Sequence, residues 1–429
     1  MIASNIPAWL QQTTSVPNQT EPSWFTDFRE QQQAAFLQNG LPTRKQERWK
    51  YADLSFLTTK QFTLATRATE DELCDVVHQH RLQKGDSILL VFANGYFMPA
   101  LSDMTKLPPQ VIACSMHEAM QTQSELVQAH GMLTDHPTQL AFANLNAAVS
   151  TDGLFLHVPD NCEVPVALHL LFITVGNQEH ISYPRHLFVM GEHSKLTLLE
   201  EHFSFAAHAY MLNAVTTVVV GKSAALTHYK IQQDGKQGVH IAHTFVYQQQ
   251  DSTTSFLNFS LGAQFARDDL VIKLQGAGAD CKTGGFYRLH ADNQYIDHHV
   301  DIEHQAPRSS SEMVYKGVLD NRSRAVFNGR LHVNQGAEKT LAHQANHNLL
   351  LSNTAEVYSK PELEIYADDV KCKHGATIGQ LDQEALFYLC SRGIARDEAV
   401  AMLLQGFADE IARRVTHAGI KLRVQEVML

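Results

Sequence analysis

Two periodicities of apolar residues divide this chain. In Glu21–Gln38, the residues Trp24, Phe25, Phe28, Ala35 and Phe36 recur on one helical stripe, and Gly40 and Pro42 end the run. Arg44–Leu57 follows, with aromatic anchors at Trp49, Tyr51 and Phe56. SILLVFANGYFMPAL (Ser87–Leu101) then reads as a β-hairpin, because Asn94–Gly95 suits a tight turn whose two central residues both need positive φ. A helical stretch, Ser115–His130, and the segment Phe142–Asn161 close this N-terminal part.

From Pro165 to Ile378 the pattern changes to strand-like pieces of roughly four to eight residues, separated by Gly, Asn, Asp and Ser. VMGEHSKLT (Val189–Thr197) and VVGKSAALT (Val219–Thr227) share Val, Gly, Leu and Thr, and Val189 and Val219 lie 30 positions apart. Looser copies of this strand–turn–strand unit occur at Leu274–Lys282, Val318–Phe327, Val333–Thr340 and Leu351–Tyr358. One such unit cannot bury its own apolar face, whereas a stack of them can. The expectation is a mainly β fold with a parallel β-helix core over 165–380, an N-terminal mixed helical region with a hairpin over 1–164, and a C-terminal helical region over 381–429. A β-sandwich is the competing arrangement. In the C-terminal region, Asp382 is placed to cap a helix carrying Leu386, Phe387, Leu389 and Cys390, with Gly393 at its stop. Asp397 is placed to cap a second, whose stripe of Val400, Leu403, Leu404, Phe407, Ile411 and Val415 serves core packing or partner docking.

Composition narrows the function classes. Hydrophobic residues make up 44% and charged residues 18% of the 429, as in ordinary soluble globular proteins. No apolar run is long enough for a membrane helix, and the N-terminal stretch MIASNIPAWLQQTTSVPNQT lacks the basic and apolar regions of a secretion signal. A cytoplasmic protein is expected. The formal charge of −11 argues against a nucleic-acid surface. The six cysteines are scattered without a CxxC pair, so neither a disulfide framework nor a zinc knuckle is indicated, and most read as small buried apolar residues. Of the 24 histidines, His290, His298, His299 and His304 form a loose group that reads as exposed polar positions on strands and turns.

Two nucleotide-like motifs fail. Gly221-Lys222-Ser223 resembles the end of a phosphate-binding loop, but Thr216 occupies the upstream glycine position. Gly276 and Gly278 lack the third glycine of a dinucleotide fingerprint, where Cys281 stands. Any ATP chemistry would belong to another subunit. The pair Asp368–Asp369 would point to opposite faces of a strand and fits a bend better than an acid/base site. Cys372 and His374 differ: at i and i+2 on a strand they share a face, and thiolate and imidazole are ligands for iron, zinc or a nascent cluster. Two donors do not complete a tetrahedral site. Distant histidines or a partner chain must supply the rest.

KPELEIYADDVKCKHGATIGQLDQEALFYLCSRGI (Lys360–Ile394) closely resembles the C-terminal signature of the SufB/SufD family of the SUF iron–sulfur cluster assembly system, and within it the SufD branch. Arg48–Leu57, Leu145–Pro159, Gly191–His202 and Tyr315–Val333 fit the same pattern. The SufB branch typically has a Glu-His-containing acidic segment where this chain has DDVKCKHGAT. The resemblance implies a right-handed parallel β-helix and a non-catalytic scaffold that pairs with SufB and docks the ATPase SufC through its C-terminal helices. It places His374 at a nascent-cluster site shared between subunits, with Cys372 beside it, and maps SufC docking onto Asp382–Ala418, where Phe387, Tyr388, Arg392, Gly393, Gly406 and Phe407 are the candidates. It further implies no tightly bound cofactor, only transient iron or a nascent cluster, and leaves open a homodimer of the isolated chain. Two other classes compete: a β-helix carbohydrate-active enzyme, which would need converging carboxylates, and a self-sufficient metalloprotein.

Overall fold

The computed structural model describes residues 5–13, 21–82, 87–132 and 140–428, so part of the N-terminal stretch weighed above as a secretion signal lies outside the described residues. Each repeat is one rung of a stack. Val189 lies beside Val219, and Leu196 and Thr197 lie beside Leu226 and Thr227, all in parallel register. The 30-position offset between Val189 and Val219 is therefore the chain length of one turn.

Alternate strands feed two parallel sheets. One runs from Lys195–Ser204 through Ala225–Gln233, Thr253–Ser260, Asp280–Leu289, Ser310–Leu319 and Leu341–Leu350 to Lys371–Gly379. The other runs from Tyr210–Val220 through Gly238–Gln248, Phe265–Leu274, Tyr295–His304 and Arg324–Val333 to Glu356–Ile365. A sandwich would have joined neighbours by antiparallel pairs; the architecture is a parallel β-solenoid.

One corner of the solenoid explains why small and polar residues punctuate the repeats. His193, Ser223, Asp251, Gly278, Arg308 and Lys339 all have positive φ. Each donates its N–H to a carbonyl of the next turn: His193 to Lys222, Ser223 to Gln250, Asp251 to Ala277, Gly278 to Pro307, Arg308 to Glu338 and Lys339 to Asp369. Gly221-Lys222-Ser223 is one of these corners. A Cβ at Gly221 would lie 2.7 Å from the Met190 carbonyl oxygen, so close stacking and not phosphate binding requires the glycine. Asp368 and Asp369 lie in the bend that closes the same column.

The first strand of the stack, Ser87–Ala93, pairs in parallel with Ala167–Thr174 and turns back at Asn94 (φ 52°) and Gly95 (φ 84°) into Tyr96–Phe97, the hairpin expected from the sequence. The helix Glu70–His80 covers it, packing Leu73 and Val77 with Leu89 and Val91. The helix expected over Glu21–Gln38 is Ser23–Asn39, stopped by Gly40 at φ 71°. Ser115–His130 is two helices, Met116–Thr122 and Ser124–His130, the first capped by Ser115 through the Glu118 N–H.

The segment 44–57 straps the outer face of one sheet. Trp49 covers Arg267, whose guanidinium carbon lies 3.8 Å from a ring centroid of the indole. Arg267 is fully buried and ion-paired to Asp269 at 2.7 Å and Asp297 at 2.8 Å. Arg48 reaches Asp269 at 3.1 Å and Asp301 at 2.7 Å. A second knot, on the other sheet, gathers the buried Glu201 with His169 and His80, each at 3.1 Å, and with Arg423 Nε at 3.0 Å. It ties the C-terminal helix Ala418–Met428 to the N-terminal helix Glu70–His80.

The structure corrects three sequence expectations. His298, His299 and His304 are buried, and of that group His290 alone is exposed. Polar partners make this burial tolerable: Ser309 and Ser311 flank His304 at 2.7 and 2.9 Å, and Asp297 lies 2.9 Å from His299. Burial pushes His298 and His304 down to about 4, so both rings are neutral at physiological pH. The second C-terminal helix is Arg396–Ala412 with Ala395 at its N-cap; Asp397 sits in its first turn, where a carboxylate complements the helix dipole instead of capping it. Of the cysteines, Cys114, Cys162 and Cys281 are buried, Cys372 and Cys390 are half-buried, and Cys74 is exposed.

Candidate functional site

Position in the stack gives Cys372 and His374 their significance. They lie on the last strand, Lys371–Gly379, directly beside Ala342 and Gln344 of the preceding rung. Ala342 and Gln344 are buried inside the solenoid, so both candidate ligands continue interior columns of side chains. The stack ends there. Cys372 is half-buried against the main core cluster and His374 is exposed. Burial raises the Cys372 thiol above its ordinary value, so a metal or a nearby cation is needed to bring out the thiolate.

The end itself is unfinished. Lys371–Gly379 pairs only with Leu341–Leu350, and Glu356–Ile365 only with Arg324–Val333, which leaves an open edge on each sheet among the described residues. Leu341, Ile365, Tyr366 and Ile378 are exposed around it. Pro361 sits in the middle of the edge strand Glu356–Ile365, a position proline tolerates because an edge has unpaired groups to spare. Uncovered edges of this kind pair readily with another chain.

Among the described residues no three His, Cys, Asp or Glu side chains converge as a metal site. Cys372 and His374 therefore remain two donors on one face, as the sequence indicated.

The C-terminal candidates divide. Asp382 caps the helix Gln383–Ser391 by accepting from the Glu384 and Ala385 N–H groups at 2.9 and 3.1 Å. Gly393 (φ 90°) stops it, donating to the Cys390 carbonyl at 3.0 Å. Phe387 and Tyr388 project outward, 75% and 61% exposed, and Arg392, Gly393 and Gly406 are exposed with them. Phe407 is on the packed side. Lys316 Nζ lies 4.4 Å above its ring and donates to its carbonyl at 3.2 Å, anchoring the helix to the solenoid. A cleft of about 750 Å³ elsewhere has each of its arginines paired: Arg44 with Asp53, Arg322 with Asp292 and Arg324 with Glu356.

Sequence reasoning missed a buried polar chain in the middle rungs. Glu200 meets His202 at 2.7 Å and His228 at 3.0 Å, Lys230 meets Asp268 at 3.3 Å, and His240 meets Asp234 at 2.8 Å. Burial raises the Glu200 carboxyl, but Lys230 and the imidazoles of His202 and His228 outweigh it and hold the group well below its ordinary value. The alternation of Glu200 with His202, and of His228 with Lys230, on the interior-facing positions of their strands was the available signal.

Residues 172–407 match the SufBD core domain of the SUF system for FeS cluster assembly, and residues 6–170 match the SufBD protein N-terminal region. The chain belongs to the SufBD family. It is 33% identical over 402 residues to an iron–sulfur cluster assembly SufBD family protein of Synechocystis, covering 90% of this chain and 86% of that protein. It is 31% identical over 391 residues to the iron–sulfur cluster assembly protein SufD of Escherichia coli, covering 90% of this chain and 88% of SufD. Identity to the SufB protein of Bacillus subtilis is 24% over 415 residues, covering 92% and 86%. SufBD proteins serve iron–sulfur cluster assembly, and this is the process in which the chain takes part. No helix among the described residues is long and apolar enough to cross a membrane.

Proposed function

We propose that the chain is a SufD-type scaffold subunit, without turnover of its own, that joins a SufB-type chain through its open solenoid end. One observation carries this reading: the candidate donors Cys372 and His374 stand on the last rung of an uncovered stack, with no third donor converging on them among the described residues. A second SufBD chain seated there would satisfy the sheet edges, cover Leu341, Ile365, Tyr366 and Ile378, and add the missing ligands. The higher identity to SufD than to SufB favours the SufD role.

In this reading His374 is the principal ligand of the transient iron or nascent cluster, which is cargo and not a resident cofactor. Cys372 assists once a metal lowers its thiol. The exposed face of Phe387, Tyr388, Arg392 and Gly393, with Gly406, docks a SufC-type ATPase in the cytoplasm; Phe407 braces that face from behind. Without SufB, two copies of this chain can close the same edges against each other as a homodimer.

The deciding experiment reconstitutes the chain with SufB- and SufC-type partners and follows cluster formation by absorbance. His374→Ala is expected to leave the complex assembled and to abolish most cluster formation. An assembled His374→Ala complex that builds clusters at the wild-type rate would refute the assigned role.

A further inference from the structure

The rung beneath the open end has an unusual inner face. Gln344, Asn346 and Asn348 follow one another at alternate positions of Leu341–Leu350, all buried, directly under His374, Ala376 and Ile378. The same columns one rung earlier hold Met313, Tyr315 and Gly317. A row of three buried carboxamides requires partners, and nearly every group finds one. Asn346 Nδ2 donates to the Tyr287 hydroxyl at 3.2 Å and to the Tyr315 carbonyl at 3.3 Å. Asn346 Oδ1 accepts from Asn348 Nδ2 and from the Ser359 hydroxyl, each at 2.7 Å. Asn348 Oδ1 accepts from the Tyr287 hydroxyl at 2.5 Å.

Gln344 is the exception. Its Nε2 crosses the interior to donate to the Gly329 carbonyl at 3.0 Å, which fixes the amide orientation, because the flipped amide would set two oxygens together. A Cβ at Gly329 would lie 2.2 Å from that Nε2, so the glycine is what admits the amide. Gln344 Oε1 is left buried with no hydrogen-bond partner. A buried acceptor without a partner is costly and is uncommon in native structures. The next side chain in its column is His374, which is exposed and has a ring N–H to give.

We infer that Gln344 is a positioning residue for His374: its Oε1 accepts one ring N–H of the imidazole, fixes the tautomer, and turns the other ring nitrogen to the cluster. The inference rests on the reading of His374 as a cluster ligand. The bond forms when a second chain covers the terminal rung and removes water as the competing donor and acceptor. Ligating histidines are generally held in this way, by a hydrogen bond to the nitrogen that does not bind metal.

The test uses the full chain, ¹⁵N-labelled at histidine, in complex with its SufB-type partner, with His374→Ala assigning the His374 ring signals. Ring-nitrogen shifts are read at a pH where the imidazole is neutral, and cobalt(II) affinity is titrated as a probe for iron. Gln344→Met, which keeps the volume and loses the acceptor, is expected to convert one His374 tautomer into a mixture and to weaken cobalt(II) binding about 10- to 100-fold. Gln344→Met with the wild-type tautomer would overturn the inference. If the wild-type complex binds no cobalt(II), the ligand role of His374 falls instead, and the ring-nitrogen shifts still decide whether Gln344 holds the imidazole.

Discussion

The first and last strands of one sheet are alike in kind and opposite in surroundings. Every residue of Ser87–Ala93 is buried, and no residue of Lys371–Gly379 is. Each follows its neighbouring strand in parallel register. What differs is the cover: a hairpin return and the helix Glu70–His80 close the first, whereas Leu341, Ile365, Tyr366 and Ile378 are left bare around the last. A solenoid needs both ends covered to avoid open edges. This chain covers one itself and leaves the other, with Cys372 and His374 on it, open among the described residues.

The comparison breaks most visibly if the closed part tolerates loss of a buried charge. Arg267→Met leaves Asp269 and Asp297 buried without their main cation and should cost about 3–5 kcal/mol of stability in chemical denaturation. A cost below 1 kcal/mol would mean that the strap over 44–57 contributes little.

Acid tests the closed part next. An ordinary histidine titrates at 6.5, and burial holds His298 and His304 at about 4 in the folded state. Between these values the unfolded chain binds more protons, so stability should fall as pH drops from 6.5 to about 4, by at most about 3 kcal/mol for each ring. Asp297 is held below its usual value: burial raises it, but His299 and Arg267 outweigh that effect. Its contribution is present above the ordinary carboxylate value and is lost as pH falls through the folded value. Denaturation midpoints across pH should flatten between 4 and 6.5 in His304→Gln relative to wild type.

Smaller effects belong to the C-terminal region. Asp382→Ala removes two cap hydrogen bonds and should cost about 1 kcal/mol, read as a lower thermal midpoint. Smallest of all, Ile378→Ala and Phe387→Ala should shift the stability of the isolated chain by no more than about 0.5 kcal/mol, because both side chains already face water. Their effects should appear in association. Ile378→Ala should weaken binding to the SufB-type chain and Phe387→Ala binding to the SufC-type ATPase, each measured by calorimetry.

Local chemistry made several features legible in the sequence. Asn94–Gly95 demands positive φ whatever surrounds it, and Asp382 and Gly393 satisfy helix-end groups within a few residues of themselves. The repeat at Val189 and Val219 predicted the register of the stack, because identical rungs must align to bury identical faces. Cys372 and His374 were seen to share a face, since alternation along a strand is a property of the backbone alone.

Tertiary structure decided what depends on partners far away in the chain. His298 and His304 looked exposed because polar side chains usually are; serines and carboxylates from other strands made their burial tolerable. The stripe holding Phe407 read as core packing or docking, and only the fold showed Lys316 across its ring. The unpaired oxygen of Gln344 has no local signature, for it exists only because Gly329 of the opposite sheet takes the other half of the amide. The sequence by itself determined the strand and the shared face of Cys372 and His374 on it. Only the folded stack showed that this rung is the last, with an open edge and no third donor converging on it among the described residues.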